Sequence, residues 1–357
     1  MSKKKIIFTG GGSGGHAVPA MVLIEHLLKD NQCDIFYIGS KHGIESKLAQ
    51  ENGIQYYSIL TGKLRRYFSL QNIVDIFKVE IAILQSIFIL LLLGRTGAIV
   101  FSTGGFVSVP VVVAAWILRI PIFIHEQTSR LGLANRICSR FAKKIFISFE
   151  GTRKFLPSEK TVFSGCPLRN DCYNEAISII ELAGIKINDI KRPIVFITGG
   201  GNGSLPLNQL VKKHLNELSE KYFVIHQVGK NFIDEYAGYK IKNYLPIDFV
   251  KSIIDVYKLS EVIISRAGAG TVCELIALGK KSILVPLKIA QKNEQFHNAT
   301  EAKKMLDSII IEDDNLKNVN LMKVLQELSS KTKINKLNST EKKPTEIIIA
   351  EIKKELE

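Results

Sequence analysis

A short apolar run, Ile6 to Thr9, leads straight into six residues of which five are glycine (Gly10 to Gly15), and then into His16 and a helical pattern, IIFTGGGSGGHAVPAMVL. Glycine this dense weakens any regular element and is tolerated where backbone turns sharply and approaches a ligand closely. A strand, a glycine loop and a helix in that order aim free backbone N–H groups and the positive end of a helix dipole at one point, a seat suited to an anion such as phosphate. The design restarts at PIVFITGGGNGSLPLNQL, with Pro19 and Pro206 each expected in a first helical turn, where a missing N–H costs little.

Apolar runs alternate with helical stretches along the chain, at 5–9, 34–38, 56–60, 98–102, 122–125 and 144–148, then at 194–198, 223–228, 262–265, 282–286 and 308–312. Most are apolar on both alternations, as strands of a parallel sheet covered on both faces are. The expected fold class is therefore α/β with doubly wound parallel sheets. At 357 residues, 46% of them hydrophobic, the chain can fill two cores. The boundary is expected near Ser164, giving domains over 1–164 and 165–343. A last amphipathic helix over 344–357 is expected to pack back on the first.

Several function classes lose support at once. Gly10, Gly12 and Gly15 fit the dinucleotide pattern G-x-G-x-x-G, but that pattern expects an acidic residue at the end of the second strand. Here the strand ends at Gly39-Ser40, with Asp34 at its other end and Glu45 beyond it, so an NAD-dependent oxidoreductase is disfavoured. The five cysteines (33, 138, 166, 172 and 273) are odd in number and form no C-x-x-C pair, which argues against a disulfide framework or zinc site and for a reducing cytosol. The run after Lys3-Lys4-Lys5 is too short for an export signal.

The net charge of +14 sits mostly in the first half: 20 Lys and Arg against 10 Asp and Glu over 1–164, but 28 against 24 over 165–357. That suits an anionic partner, although a lysine-rich composition bias would give the same balance. No arginine-rich run, RNP-like aromatic pattern or zinc finger points to nucleic acid. Residues 81–93 (IAILQSIFILLLL) carry no charge, yet fall short of the roughly 20 apolar residues that a spanning helix needs. A core helix is one reading. Lys63, Arg65 and Arg66 beside Phe68 favour the other, a protein resting peripherally on an anionic membrane surface.

Further loops fall where strands should end, the position at which open α/β sheets bind ligands. They are Ser102 to Ser108 (STGGFVS), His125 to Thr128 (HEQT), Ser164 to Arg169 (SGCPLR), Ser265 to Glu274 (SRAGAGTVCE) and Gln291 to Asn298 (QKNEQFHN). Together with GGSGGH, and in this order and spacing over essentially the whole chain, they resemble the MurG family. Its members move N-acetylglucosamine (GlcNAc) from UDP-GlcNAc onto undecaprenyl-pyrophosphoryl-MurNAc-pentapeptide (lipid I) to give lipid II, at the cytoplasmic face of the bacterial membrane. The resemblance implies the GT-B architecture of two Rossmann-like domains facing a cleft. It implies an inverting transfer to the MurNAc C4 hydroxyl, with no required cofactor or metal, and other cell-wall synthesis proteins as partners.

The resemblance also suggests roles. Ala269, Gly270 and Thr271, with Arg266, would hold the donor diphosphate, and Glu274 the ribose hydroxyls. Arg169 would meet the pyrophosphate, the Val250 backbone the uracil edge, and Gln295 and Asn298 the sugar. Each has a plainer reading as an ordinary surface or helix-end residue. Ser13, Gly14, Gly15, Gly104, Gly105 and Thr128 would line the acceptor pyrophosphate. His16 is the candidate base, since an imidazole can take a proton at working pH; a loop-capping or phosphate-binding histidine is the alternative. Three positions depart from the family pattern: Thr128 replaces an asparagine, Gly201-Asn202 a Ser-Gln pair, and Glu294 a glutamine. A related GT-B transferase acting on diacylglycerol or another polyprenyl carrier stays open, as does a non-catalytic nucleotide-binding adaptor.

Overall fold

The computed structural model describes residues 3–62, 70–236, 238–288, 293–330 and 343–357. The chain forms two compact units, Met1–Leu168 together with Lys342–Glu357, and Arg169–Glu341. The division falls a few residues past the expected boundary near Ser164.

The first unit is built on β1 (Lys4–Thr9), β2 (Cys33–Ser40), β3 (Gln55–Ile59), β4 (Ala98–Ser102), β5 (Ile122–Glu126), β6 (Lys144–Ile147) and β7 (Thr161–Phe163). They form one parallel sheet in the order β3-β2-β1-β4-β5-β6-β7. Alternate residues serve two cores, which is why the strands read as unbroken apolar runs. Ile7, Val100, Ile124 and Ile145 pack into one core; Ile6, Phe8, Phe101, Phe123 and Phe146 pack into the other. The covering helices are α1 (Gly14–Asp30), α2 (Ile44–Glu51), α3 (Leu70–Leu93), α4 (Ser108–Ile117) and α5 (Leu133–Cys138). Pro19 lies inside α1 in its second turn, not in the first as expected. Its ring leaves the Gly15 carbonyl without the usual i+4 donor, a loss confined to the partly solvated start of the helix.

The charge-free segment 81–93 is the second half of α3, a 24-residue helix. Ala82, Ser86, Ile89, Leu90 and Leu93 are buried, while Phe77, Ile81, Leu84, Phe88, Leu91 and Leu92 are exposed. One face of the segment is therefore core, and the other is an exposed apolar face. Among the described residues no helix is long and apolar enough to cross a membrane. Lys63, Arg65, Arg66 and Phe68 lie outside the described residues.

The second unit carries a short hairpin, β8 (Glu181–Leu182) and β9 (Ile185–Lys186), and a parallel sheet. Its strands are β10 (Ile194–Thr198), β11 (Phe223–Gln227), β12 (Tyr244–Ile247), β13 (Ser260–Ser265), β14 (Ser282–Leu284) and β15 (Ile309–Ile310), in the order β12-β11-β10-β13-β14-β15. The helices are α6 (Leu205–Lys221), α7 (Ile233–Tyr236), α8 (Ile253–Leu259), α9 (Ala269–Leu278), α10 (Glu294–Leu306) and α11 (Leu321–Ser330). Each sheet reverses its strand order once, at β1/β4 and at β10/β13, the crevice where such sheets bind ligands. The strands that patterning overlooks, β7, β12 and the hairpin, are short or peripheral. Strand β12 contains Pro246, which only an edge position accommodates comfortably.

The C-terminal helix Pro344–Leu356 belongs to the first unit. Ile348, Ile352 and Leu356 enter the same core as Phe8 and Phe101. Ion pairs from Lys353 to Asp30 (2.7 Å) and from Lys143 to Glu355 (2.6 Å) flank this stripe. Exposed pairs of this kind add little beside the apolar burial. Ile352→Ala should therefore destabilise the first unit by about 2–5 kcal/mol in a denaturant titration; an unchanged midpoint would show that the helix is not part of that core.

Candidate active site

In the first unit three loops meet at the ends of β1, β4 and β5. The Gly11 N–H donates to the Gly104 carbonyl (3.2 Å) and the Thr103 N–H to the Thr9 carbonyl (2.9 Å), so the first two loops are laced together through backbone. Gly105, at φ +87°, has no room for a side chain: a Cβ there would lie 2.2 Å from the Gly11 oxygen. Ser13 is the N-cap of α1 and makes no side-chain cap, so it is backbone N–H groups that Gly14 and Gly15 present at the helix start.

His16 is the third residue of α1, partly exposed, with Nδ1 2.9 Å from the Thr103 carbonyl oxygen. A carbonyl can only accept, so a ring bonded to it donates from Nδ1, and in the tautomer of that kind Nε2 is the acceptor. The Gln127 side-chain nitrogen lies 3.2 Å from the same Nδ1 and, being a donor, makes the opposite demand on it from the Thr103 carbonyl. Thr128 directs its hydroxyl inward, between the Glu126 carboxylate (2.7 Å) and the Arg130 carbonyl. Glu126 is itself buried and also accepts from the Thr128 N–H (3.0 Å), the Gly132 N–H (3.1 Å) and the Asn135 amide (3.1 Å). His125 is buried beside it; burial pushes its pKa down to about 4, so the ring is neutral, and Nε2 lies 3.3 Å from the Gly165 carbonyl.

In the second unit the matching loops follow β10, β13 and β14. Helix α9 starts at Ala269, Gly270 and Thr271 after the N-cap Gly268, which has no side chain to close the helix end. Those first-turn N–H groups form an anion site by geometry. Glu274 follows in the second turn, with part of the residue accessible but its carboxyl largely enclosed. Burial of its carboxyl raises the pKa to about 7; the Arg169 guanidinium works against the rise and Asp171 adds to it. Arg169 is exposed, just before the turn at Asn170–Tyr173.

The other expected donor residues do more bracing than their positions suggested. The Arg266 guanidinium donates to Asp313 (2.6 Å), to the Ser204 hydroxyl (2.8 and 3.1 Å) and to the Val285 carbonyl (3.2 Å). Asn298 is buried and donates to the Ala267 carbonyl (3.2 Å), and the Gln295 side chain accepts the Leu287 N–H (2.9 Å). Gly201 and Asn202 form the exposed tip of the loop after β10, and Glu294 opens α10. The Val250 N–H donates to the Gln227 side chain (2.9 Å), so of its two backbone groups the carbonyl is the one to consider for a ligand.

Three bracing residues escaped the sequence reading. Gln227, buried at the end of β11, accepts from Val250 and donates to the Thr198 hydroxyl (3.1 Å) and the Gly200 carbonyl (2.9 Å), joining three loops. A lone polar residue closing the apolar run FVIHQ is the signal that marks it. Asp313 sits in an acidic run with nothing to single it out. Glu45 accepts the N–H groups of Gly12 (3.2 Å) and Ser40 (3.1 Å), although it lies past the strand end where an acidic residue was sought.

The sequence matches the profile of the glycosyltransferase family 28 N-terminal domain over residues 6–147 and that of the family's C-terminal domain over 194–356. It is 38% identical over 347 residues to a Bacillus cereus protein named UDP-N-acetylglucosamine–N-acetylmuramyl-(pentapeptide) pyrophosphoryl-undecaprenol N-acetylglucosamine transferase 2, covering 95% of this chain and 96% of that one. A Clostridium botulinum transferase of the same type is 39% identical over 328 residues, 91% of each chain. The crystal structure of Acinetobacter baumannii MurG superposes with a TM-score of 0.71 at 22% identity, over 98% of this chain and 99% of that one, and so shares the two-unit fold. Two family profiles and relatives aligned over nearly the full length agree with the loops just described: the chain belongs to the MurG family, within glycosyltransferase family 28.

Proposed function

We propose that this chain transfers GlcNAc from UDP-GlcNAc to the MurNAc C4 hydroxyl of undecaprenyl-pyrophosphoryl-MurNAc-pentapeptide, with inversion at the sugar's anomeric carbon. The observation that carries this reading is the seat of His16 beside the glycine loops, with Nδ1 2.9 Å from the Thr103 carbonyl and Nε2 left as the nitrogen for an acceptor hydroxyl. The names of the relatives supply the substrates. The C4 hydroxyl gives its proton to His16 Nε2 as its oxygen bonds to the anomeric carbon, and the bond from that carbon to the UDP oxygen breaks. The first-turn N–H groups of α9 and the Arg169 guanidinium take up the charge on the leaving diphosphate; each such preorganised donor is typically worth ~3–4 kcal/mol. Glu274 holds the ribose hydroxyls, and the Val250 carbonyl accepts from the uracil N–H. Arg266 acts from behind, by holding Ser204 and its loop.

Membrane contact is the second part of the proposal. The exposed residues Phe77, Ile81, Leu84, Phe88, Leu91 and Leu92 recur at helical spacing along one face of α3, with Phe88 69% and Leu84 66% exposed. Trp116 and Ile117 extend the apolar surface on the neighbouring α4, and exposed Arg95 and Arg119 follow the ends of the two helices. An apolar stripe edged by cations suits an anionic lipid surface. All five cysteines are free thiols, in keeping with the cytoplasmic face.

Incubation with radiolabelled UDP-GlcNAc and a lipid I analogue should give labelled disaccharide lipid. Product with diacylglycerol and none with lipid I would overturn the reading. His16→Ala should lower kcat by roughly 10²–10⁴ with donor KM nearly unchanged; near-full turnover would leave His16 a structural role only.

Glu274 makes donor binding depend on pH. Below about pH 7 its carboxyl is protonated, and above it the carboxylate accepts from both ribose hydroxyls. UDP-GlcNAc, whose own phosphates do not titrate there, should bind about fivefold more tightly as pH rises through 7, the gain from making a neutral acceptor charged. Glu274→Gln should abolish the step. The same raised pKa acts oppositely on folding: its contribution is full below the ordinary carboxyl value of 4.5 and is lost as pH rises through about 7.

Leu84→Glu with Phe88→Glu should abolish sedimentation with phosphatidylglycerol-containing vesicles while sparing turnover of a short-chain, water-soluble acceptor. Undiminished sedimentation would count against the α3 surface.

A further inference from the structure

We propose that Glu45 is an internal anion seated in the first glycine loop, so that Gly11 and Gly12 take no ligand phosphate and serve to position His16. The inference rests on the proposed reaction for its kinetic arm only.

A strand–glycine-loop–helix unit aims backbone N–H groups at an anion. Here the anion is already part of the chain. The Glu45 side chain is fully buried and accepts from the Gly12 N–H, the Ser40 N–H and the Ser40 hydroxyl. Glycines make the space for it: a Cβ at Gly11 would lie 2.3 Å from Glu45 Cδ, one at Gly43 2.2 Å from its oxygens, and one at Gly39 2.9 Å from its Cγ. Residues that read as a phosphate cradle are thus, in part, a carboxylate cradle. A ligand phosphate brought to the same N–H groups would face a like charge held out of water, where repulsion is strongest.

The loop after β10 meets different chemistry. There Gly200 is held by the neutral Gln227 amide, and Ser204 by the Arg266 guanidinium. Two similar glycine motifs therefore differ in the charge behind them, and a nucleotide diphosphate is repelled from the first. What Glu45 does instead follows from its connections. It fixes Gly12; the neighbouring Gly11 N–H holds the Gly104 carbonyl; and the carbonyl of Thr103, adjacent in that loop, lies 2.9 Å from His16 Nδ1. Glu45 is a positioning residue, acting on His16 through two loops.

The test uses the full chain with Glu45→Ala and Glu45→Gln. Glu45→Ala vacates the seat, and sodium formate, the carboxylate alone, should raise its thermal midpoint towards wild type. Sodium chloride at equal ionic strength should not, and the wild-type midpoint should stay put in both. If the variant does not fold in chloride, recovery of folded protein on refolding in formate is scored in the same way. Glu45→Gln keeps the shape without the charge. It should lose about tenfold or more in kcat/KM for the lipid I analogue, with donor KM within about twofold. Failure of formate to restore the alanine variant would overturn the anion seat. Wild-type acceptor kinetics in Glu45→Gln, or a donor KM that worsens as much as the acceptor parameters, would overturn the positioning role. Absence of transfer by wild type would refute the proposed reaction while leaving the formate result to decide the seat.

Discussion

Where a parallel strand ends, its last backbone N–H and carbonyl groups lose their neighbours, and unpaired groups that stay buried are costly. Both units meet that constraint with a buried polar side chain rather than with more strand. Glu45 pairs the loop after β1, Glu126 the loop after β5, and Gln227 the loops after β10 and β12. The Arg266–Asp313 pair does the same for Ser204 and the end of β14. Each loop is held by several bonds to one side chain, so its remaining N–H groups have fixed directions. That is the preorganisation on which a site made largely of backbone depends.

The bracing also differentiates two motifs that look alike. GGGSGG and GGGNGS both follow a buried strand and precede a helix containing proline. The first sits on a carboxylate and the second beside an amide and a guanidinium. Charge in a low-dielectric setting acts strongly over a few ångströms, so one buried acidic side chain is enough to change what such a loop accepts. In the first unit the loops also hold His16 in place, with the Thr103 carbonyl and the Gln127 side chain both at Nδ1.

Helix α3 has a buried face and an exposed apolar face. Ala82, Ser86, Ile89 and Leu90 serve the core, and the Phe77-to-Leu92 stripe is left to the surface. A thirteen-residue uncharged run could be read either as core or as interface, and no property of the run itself separates the two. Only the packing of α4 and the sheet against one side does so.

The architecture was largely legible in the amino-acid order. Buried parallel strands announce themselves as unbroken apolar runs, glycine clusters mark the strand ends, and the spacing of six loops carries the family resemblance. Where local signals are weak, patterning misses the edge strands β7 and β12 and places Pro19 a turn too early in its helix. What only tertiary structure decided is the work of individual side chains. Glu45 lies beyond the strand end where a ribose-binding acid was sought, yet folding turns it into the loop it follows. Arg266 and Asn298 carry ligand-binding motifs in the sequence and are engaged in bracing in the fold. Sequence alone determined which backbone segments converge, because hydrophobic periodicity and glycine placement are local properties. Which charge lies behind each loop, and which loop holds His16, depended on contacts between residues 33 to 87 positions apart, which no local pattern encodes.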